Sequence, residues 1–295
     1  MKHGKTAESA VYRRVRTTHK AHLTMTNFTT GEVVQSNMTN DRTPRRIQSV
    51  ELAFDILEVL RDSGGATVTE VADQIDRSPG TTHTYLATMA DRGYVRNSDG
   101  KYHVGLFAVP LGEYVRGQSQ LYRVGKSEVD ELAQETGEAS HLVIESHGRE
   151  IPLYERFGPD AVGETLYEEN KGHPRWNLHC SAAGKAILAH TPPERRDEIL
   201  TNYEFAERTL QTTTDEAALR EELEVVRQQG FAQNDEEQIT GLRAVGAPIR
   251  YEGEIRGAIS LSAPTSRLRG QQFEAEIPER VVQAANVVEI NLQSA

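Results

Sequence analysis

Between residues 68 and 104 the apolar positions recur first with a helical period and then with a two-residue alternation. Val68, Val71, Ala72 and Ile75 predict a short amphipathic helix. Thr67 with Glu70 three residues later forms a capping box, the hydroxyl accepting a freed amide while the carboxylate reaches back. Asp76-Arg77-Ser78 break the pattern. Ser78 then supplies an N-cap and Pro79 the first helical position, where a missing N–H is no loss. The second helix turns Tyr85, Leu86, Met89 and Ala90 toward the first and ends at Gly93. Residues 94–96 and 101–104 flank Asp99-Gly100, a strong hairpin signal. Helix, short turn, helix and two-stranded wing make a winged helix-turn-helix, whose second helix enters the major groove of DNA.

The same reading extends to both sides. Residues 46–61 place Val50, Ala53, Phe54, Leu57 and Leu60 on one helical face, stopped by Gly64-Gly65, as a first helix packed behind the other two. Residues 104–116 keep a helical period that Pro110 interrupts, which predicts a bent or broken linker helix. Helices are predicted over 124–136, 181–190, 193–200 and 215–229, and from 278 with Val281, Ala285, Val288 and Leu292 on one face. Strands are predicted over 139–146 and 149–155 around His147-Gly148, and over 242–250 and 255–263 around Glu252-Gly253. The fold class is α+β: a winged helix-turn-helix over 44–105, a linker helix over 106–120, and over 121–295 an antiparallel sheet flanked by helices, of the sensor type.

Charge narrows the function. Forty-four acids against 33 bases give −11, and most of the negative charge lies downstream of the first helices. DNA contact must therefore be local rather than a basic coat. The low lysine content suits a protein kept soluble in concentrated salt, although ordinary variation in composition produces the same numbers. Residues 1–43 differ: Lys2, Lys5, Arg13, Arg14, Arg16 and Lys20 face only Glu8 and Glu32 among few large apolar residues. This predicts a disordered tail, read either as a basic arm or as an over-extended start, since Met25 and Met38 follow. With no run of eighteen apolar residues and no signal peptide, the chain is expected to be soluble and cytoplasmic, with no membrane partner. The single Cys180 rules out an internal disulfide.

No catalytic triad, phosphate loop or dinucleotide fingerprint is legible, and no cofactor or metal is expected. His179 and Cys180 are adjacent, so on a strand they point to opposite faces and cannot pair as nucleophile and base. His173, His179, Cys180 and His190 lack the regular spacing of zinc ligands. The chain is therefore not read as an enzyme. Two alternatives to DNA binding stay open: a helix-turn-helix module that packs on protein, and an effector-domain enzyme.

Four stretches carry a resemblance: 46–105, 178–190 (LHCSAAGKAILAH), 230–237 (GFAQNDEE) and 243–249 (RAVGAPI). In this order they resemble the IclR family of transcription regulators, over about residues 44–295. The resemblance implies a winged helix, a GAF-like effector domain, and homodimers or homotetramers on palindromic double-stranded operators. It would suit a haloarchaeal member. The leading face of the second helix carries Ser78, Gly80, Thr81, Thr82, Thr84 and Tyr85, with no lysine or arginine until Arg92. Neutral side chains can still bond base edges or phosphates, and a threonine methyl can meet a thymine methyl. Arg45, Arg46, Arg77, Arg96 and Lys101 are the candidate phosphate contacts. In the second domain, the first amides of the 181–190 helix, Ala183 and Gly184 among them, attract an anion. Ser260 and Ser262, two apart on a strand, share a face. The family encloses small carboxylates or aromatic acids here, with a loop acid and a strand cysteine. The acid corresponds to Asn234, leaving Asp235 one position beyond, and the cysteine to Ala244, which leaves room for a larger or aromatic acid.

Overall fold

In the computed structural model, residues 46–162, 178–201 and 203–294 are described. The tail expected over 1–43, Arg45 and His173 lie outside them.

Three helices and a hairpin build the N-terminal part. Helix α1, Gln48–Asp62, buries Leu52, Ile56, Val59 and Leu60, while Val50 and Phe54 are exposed. The predicted stripe was therefore largely the wrong one. The helix carries two apolar stripes of the same period, and the packed one is that facing α2, Val68–Ile75, and α3, Pro79–Asp91. The caps form as expected. Glu70 N–H donates to Thr67 Oγ1 (3.3 Å), Thr67 N–H to Glu70 Oε2 (2.8 Å), and Thr81 N–H to Ser78 Oγ (3.2 Å). The wing is β1, Val95–Ser98, paired antiparallel with β2, Lys101–Val104. Its turn holds Asp99 at φ 53° and Gly100 at φ 80°, the positive angles a two-residue hairpin of this hand requires. Tyr102 exchanges two backbone hydrogen bonds with Ala66 (2.7 and 2.9 Å), tying the wing to the segment before α2.

The linker breaks elsewhere than predicted. Helix α4, Ala108–Gln118, and helix α5, Gln120–Thr136, are separated at Ser119, whose hydroxyl accepts from Tyr122 N–H (3.2 Å). Pro110 is the third residue of α4, within the first turn, where its missing N–H costs no intrahelical bond.

The C-terminal part is one antiparallel five-stranded sheet between helices. Strands β3, Ala139–Ser146, β4, Arg149–Phe157, β5, Ala232–Asp235, β6, Leu242–Tyr251, and β7, Glu254–Pro264, take the order β4-β3-β7-β6-β5. Strand β5 was not foreseen. Four residues alternating at a sheet edge carry too little signal, and it is recognisable only by its ladder to β6. One sheet face packs against α5 and α9, Ile277–Ser294, around Leu132, Leu142, Val245, Ile259, Val281 and Val288. The other packs against α6, Ala182–His190, with α7, Pro193–Thr201, and α8, Glu216–Gln229, around it. A π-helical turn over Gln272–Glu276 leads into α9.

Candidate DNA interface and effector site

Helix α3 has one wet face. Gly80, Thr81, His83, Thr84, Ala87, Thr88 and Asp91 are exposed, whereas Leu86 is buried and Tyr85 and Met89 pack part-way against the core. Thr82 belongs to the inner side: it is fully buried and its hydroxyl has no hydrogen-bond partner. It cannot reach DNA, which corrects its place among the candidate contacts; an i+4 relation to Leu86 puts it on the packed face. The outer threonines are also less available than their composition suggested. Thr84 Oγ1 donates to Gly80 O (3.0 Å), Thr88 Oγ1 to Thr84 O (2.8 Å), and Thr81 Oγ1 lies 2.9 Å from Ser78 Oγ. Arg96 and Lys101 stand exposed on the wing and Arg46 is exposed at the start of the described residues. Arg77, half-buried between α2 and α3, gives one guanidinium N–H to Asp76 O (2.7 Å).

The second site is the sheet face under α6. Strand register sets two rows of side chains across it. Glu155, His141, Ser260, Gly246 and Ala232 form one row; Phe157, Ala139, Ser262, Ala244 and Asn234 form the next. Of the predicted effector residues, Asn234, Ala244, Ser260 and Ser262 thus share one face, and all four are buried. Asp235 does not join them. It points to the opposite side and forms a two-pronged pair with Arg243 (2.6 and 3.1 Å). A strand's alternation dictates this, because Asn234 already occupies the inner position.

Helix α6 meets this floor at its N-terminus. A Cβ on Gly246 would lie 2.6 Å from Ala182 C and 2.8 Å from Ala183 N, so only glycine lets the helix end sit on β6. Ser181 caps the helix by accepting from Gly184 N–H (2.8 Å) and donates to Glu150 Oε2 (2.5 Å). The Gly184 amide is therefore taken, contrary to expectation, and among the described residues the amides of Ala182 and Ala183 are the ones left before the first intrahelical bond, Lys185 N–H to Ser181 O (3.0 Å). Lys185 is fully buried, its Nζ 2.5 Å from Glu222 Oε1 and 2.6 Å from Glu237 Oε1. Burial pushes the Glu237 carboxyl above the usual carboxylate range against the pull of Lys185.

A profile of the IclR helix-turn-helix domain matches residues 49–99, and one of the bacterial transcriptional regulator IclR C-terminal region matches 114–290. The chain belongs to the IclR family. It is 42% identical to the probable HTH-type transcriptional regulator ArcR of Halobacterium salinarum, over 87% of this chain and 98% of that one. It is 34% identical to the HTH-type transcriptional regulator BhcR of Paracoccus denitrificans, over 81% and 85%. A putative IclR regulator from Silicibacter superposes with a TM-score of 0.71 at 22% identity, over 84% of this chain and 97% of that one. An IclR homolog from Microbacterium hydrocarbonoxydans, complexed with 4-hydroxybenzoate, does so with 0.68 at 22%, over 84% and 100%. As an IclR-family member the protein is a DNA-binding transcription regulator, not an enzyme. Among the described residues no helix is long and apolar enough to cross a membrane.

Two features of this regulator escaped the reading of its sequence. His83 stands on the wet face of α3, three residues after Gly80, a spacing that was visible but passed over for lysine and arginine. His141 joins two partners far apart in the chain: its Nδ1 is 3.1 Å from Glu155 Oε1 and its Nε2 is 3.0 Å from Ser262 Oγ. Nothing in spacing alone announces a contact across 121 residues. His179, by contrast, is structural. Burial lowers its pKa to about 4, and its ring nitrogens meet the Tyr203 hydroxyl and the Ala206 carbonyl (both 3.1 Å). Burial likewise pushes the Cys180 thiol up to about 12.

Proposed function

We propose that the regulator binds a palindromic operator as a homodimer, or as a homotetramer built from such dimers, and that a small organic acid seated between the sheet and the α6 N-terminus alters its hold on DNA. In this reading residues 44–105 are the reader, 106–120 the linker and 121–295 the receptor, and the protein works in the cytoplasm with its DNA. Supporting the receptor role, Ser260 and Ser262 lie on one buried sheet face with Ala244 and Asn234, under a helix end that only Gly246 lets approach so closely. Small side chains backed by a helix N-terminus leave an anion room to approach backbone donors. Ala244, where the family has a cysteine, favours an aromatic or otherwise bulky acid. The 4-hydroxybenzoate of the Microbacterium homolog is an acid of that kind.

The dimer reading rests on uncovered apolar surface. Ile47, Val50 and Phe54 on and before α1 are exposed, as are Leu106, Val109 and Val115 along the linker. Residues so apolar at this density mark an interface, and a second copy presenting the same surface would match the two-fold symmetry of a palindrome.

A thermal-shift screen of organic acids, 4-hydroxybenzoate included, tests the receptor: a ligand of the native state raises the melting temperature. Ser260→Leu should abolish that shift and spare operator affinity. Loss of both together would contradict the assignment and indicate general unfolding.

A further inference from the structure

We propose that His83 is the base-reading residue of α3, and that it selects a guanine in each half-site. The inference rests on α3 being the groove helix and goes beyond it by naming the contact. On the exposed stripe, Gly80 has no side chain, and a Cβ there would meet nothing within 4 Å, so the backbone is open to close approach. Thr84 and Thr88 spend their hydroxyl protons on the carbonyls one turn back, and Thr81 is tied to the Ser78 cap. Each of them presents a methyl and oxygen lone pairs outward. Ala87 is apolar and Asp91 offers only acceptors. Of the outward side chains of the first three turns, His83 is the one with an N–H free to point at a base edge.

Chemistry then chooses the base. In the major groove guanine shows two adjacent acceptors, N7 and O6, whereas adenine sets an amino donor beside its N7, cytosine shows an amino donor and thymine a single O4 acceptor beside its methyl. An imidazole N–H shared between N7 and O6 favours guanine, because no other base sets two acceptors side by side. The flanking methyls of Thr84, Ala87 and Thr88 favour thymine neighbours, whose 5-methyl groups they can cover.

The test is selection from a random duplex library by the full chain. The wild type should enrich a palindrome with one strongly specified guanine per half-site. His83→Ala should lose preference at that position alone, and His83→Gln should shift it toward adenine, whose N6 and N7 suit a carboxamide. Placing 7-deazaguanine at the position should weaken the wild type about fivefold, the size of one net hydrogen bond, and leave His83→Ala unaffected. Equal melting temperatures for wild type and variants show that folding is intact. An unchanged motif with His83→Ala, or equal loss with 7-deazaguanine in both proteins, would overturn the role of His83. Enrichment of no motif by the wild type would overturn the groove assignment of α3 itself.

Discussion

Replacing Lys185 by methionine tests the packing logic of the receptor. Its ammonium is fully buried on α6 and bridges Glu222 of α8 and Glu237 after β5. Methionine keeps much of the apolar stem and removes only the charge. Glu222 is about one-third exposed and rehydrates, so its share is discounted. Glu237 cannot rehydrate. Its side chain is 11% exposed, its Oε2 already lacks a hydrogen-bond partner, and its backbone is pinned by Asn234 Oδ1 (2.8 Å) and Thr212 Oγ1 (2.6 Å). Breaking a buried pair from one side costs about 3–5 kcal/mol, and we expect the lower end, about 3 kcal/mol, at pH 8.

The sign of the pH dependence follows from Glu237. Burial raises its carboxyl and Lys185 opposes that rise, so without Lys185 the folded-state pKa climbs further. The folded variant then holds a proton that the unfolded chain releases above about pH 4.3, and stability falls as pH rises through that window. Urea unfolding midpoints should therefore show a small deficit for Lys185→Met at pH 5 and the full deficit at pH 8. Lys185→Met with Glu237→Leu should recover most of it, since removing both partners strands no charge. A single-mutant loss under about 1 kcal/mol at pH 8, or an equal loss at both pH values, would refute the reasoning.

Two further outcomes follow from surface chemistry. Each phosphate neutralised by a base contributes about 0.9 to the slope of log K against log salt, and the exposed bases near α3 and the wing are few. Operator binding should show a shallow slope; one corresponding to about eight or more released ions would contradict a reader built on neutral contacts. Phe54→Glu should convert the proposed dimer to a monomer in light scattering and lower affinity for a full palindrome at least about tenfold, while half-site binding persists. A stable dimer in that variant would refute the α1 interface.

How much was legible in the sequence depended on whether the deciding interaction was local. Caps, hairpins and the last-helix stripe are written in neighbours: Thr67 with Glu70, Ser78 before Pro79, and Asp99-Gly100 all act within four residues. The α1 face failed because periodicity names stripes, and only the packing of α2 and α3 chose Leu52 and Ile56 over Val50 and Phe54. Pro110 failed as a helix breaker because its effect depends on position in the helix, which depended on where α4 began. In the receptor, the shared face of Ser260 and Ser262 followed from strand alternation, and the same rule, once β5 was in place, excluded Asp235. The Glu155–His141–Ser262 chain needed the order of three strands, which no single stretch contains.

The central claim is that the winged helix reads duplex DNA and the distal sheet domain tunes that reading. DNase I footprinting of the full chain on the region upstream of its own gene, at several salt concentrations and with and without an acid that raises its melting temperature, tests this most directly. The account predicts a protected palindrome whose occupancy changes with the acid. Absence of protection at every salt concentration, or protection indifferent to an acid that demonstrably binds, would contradict it.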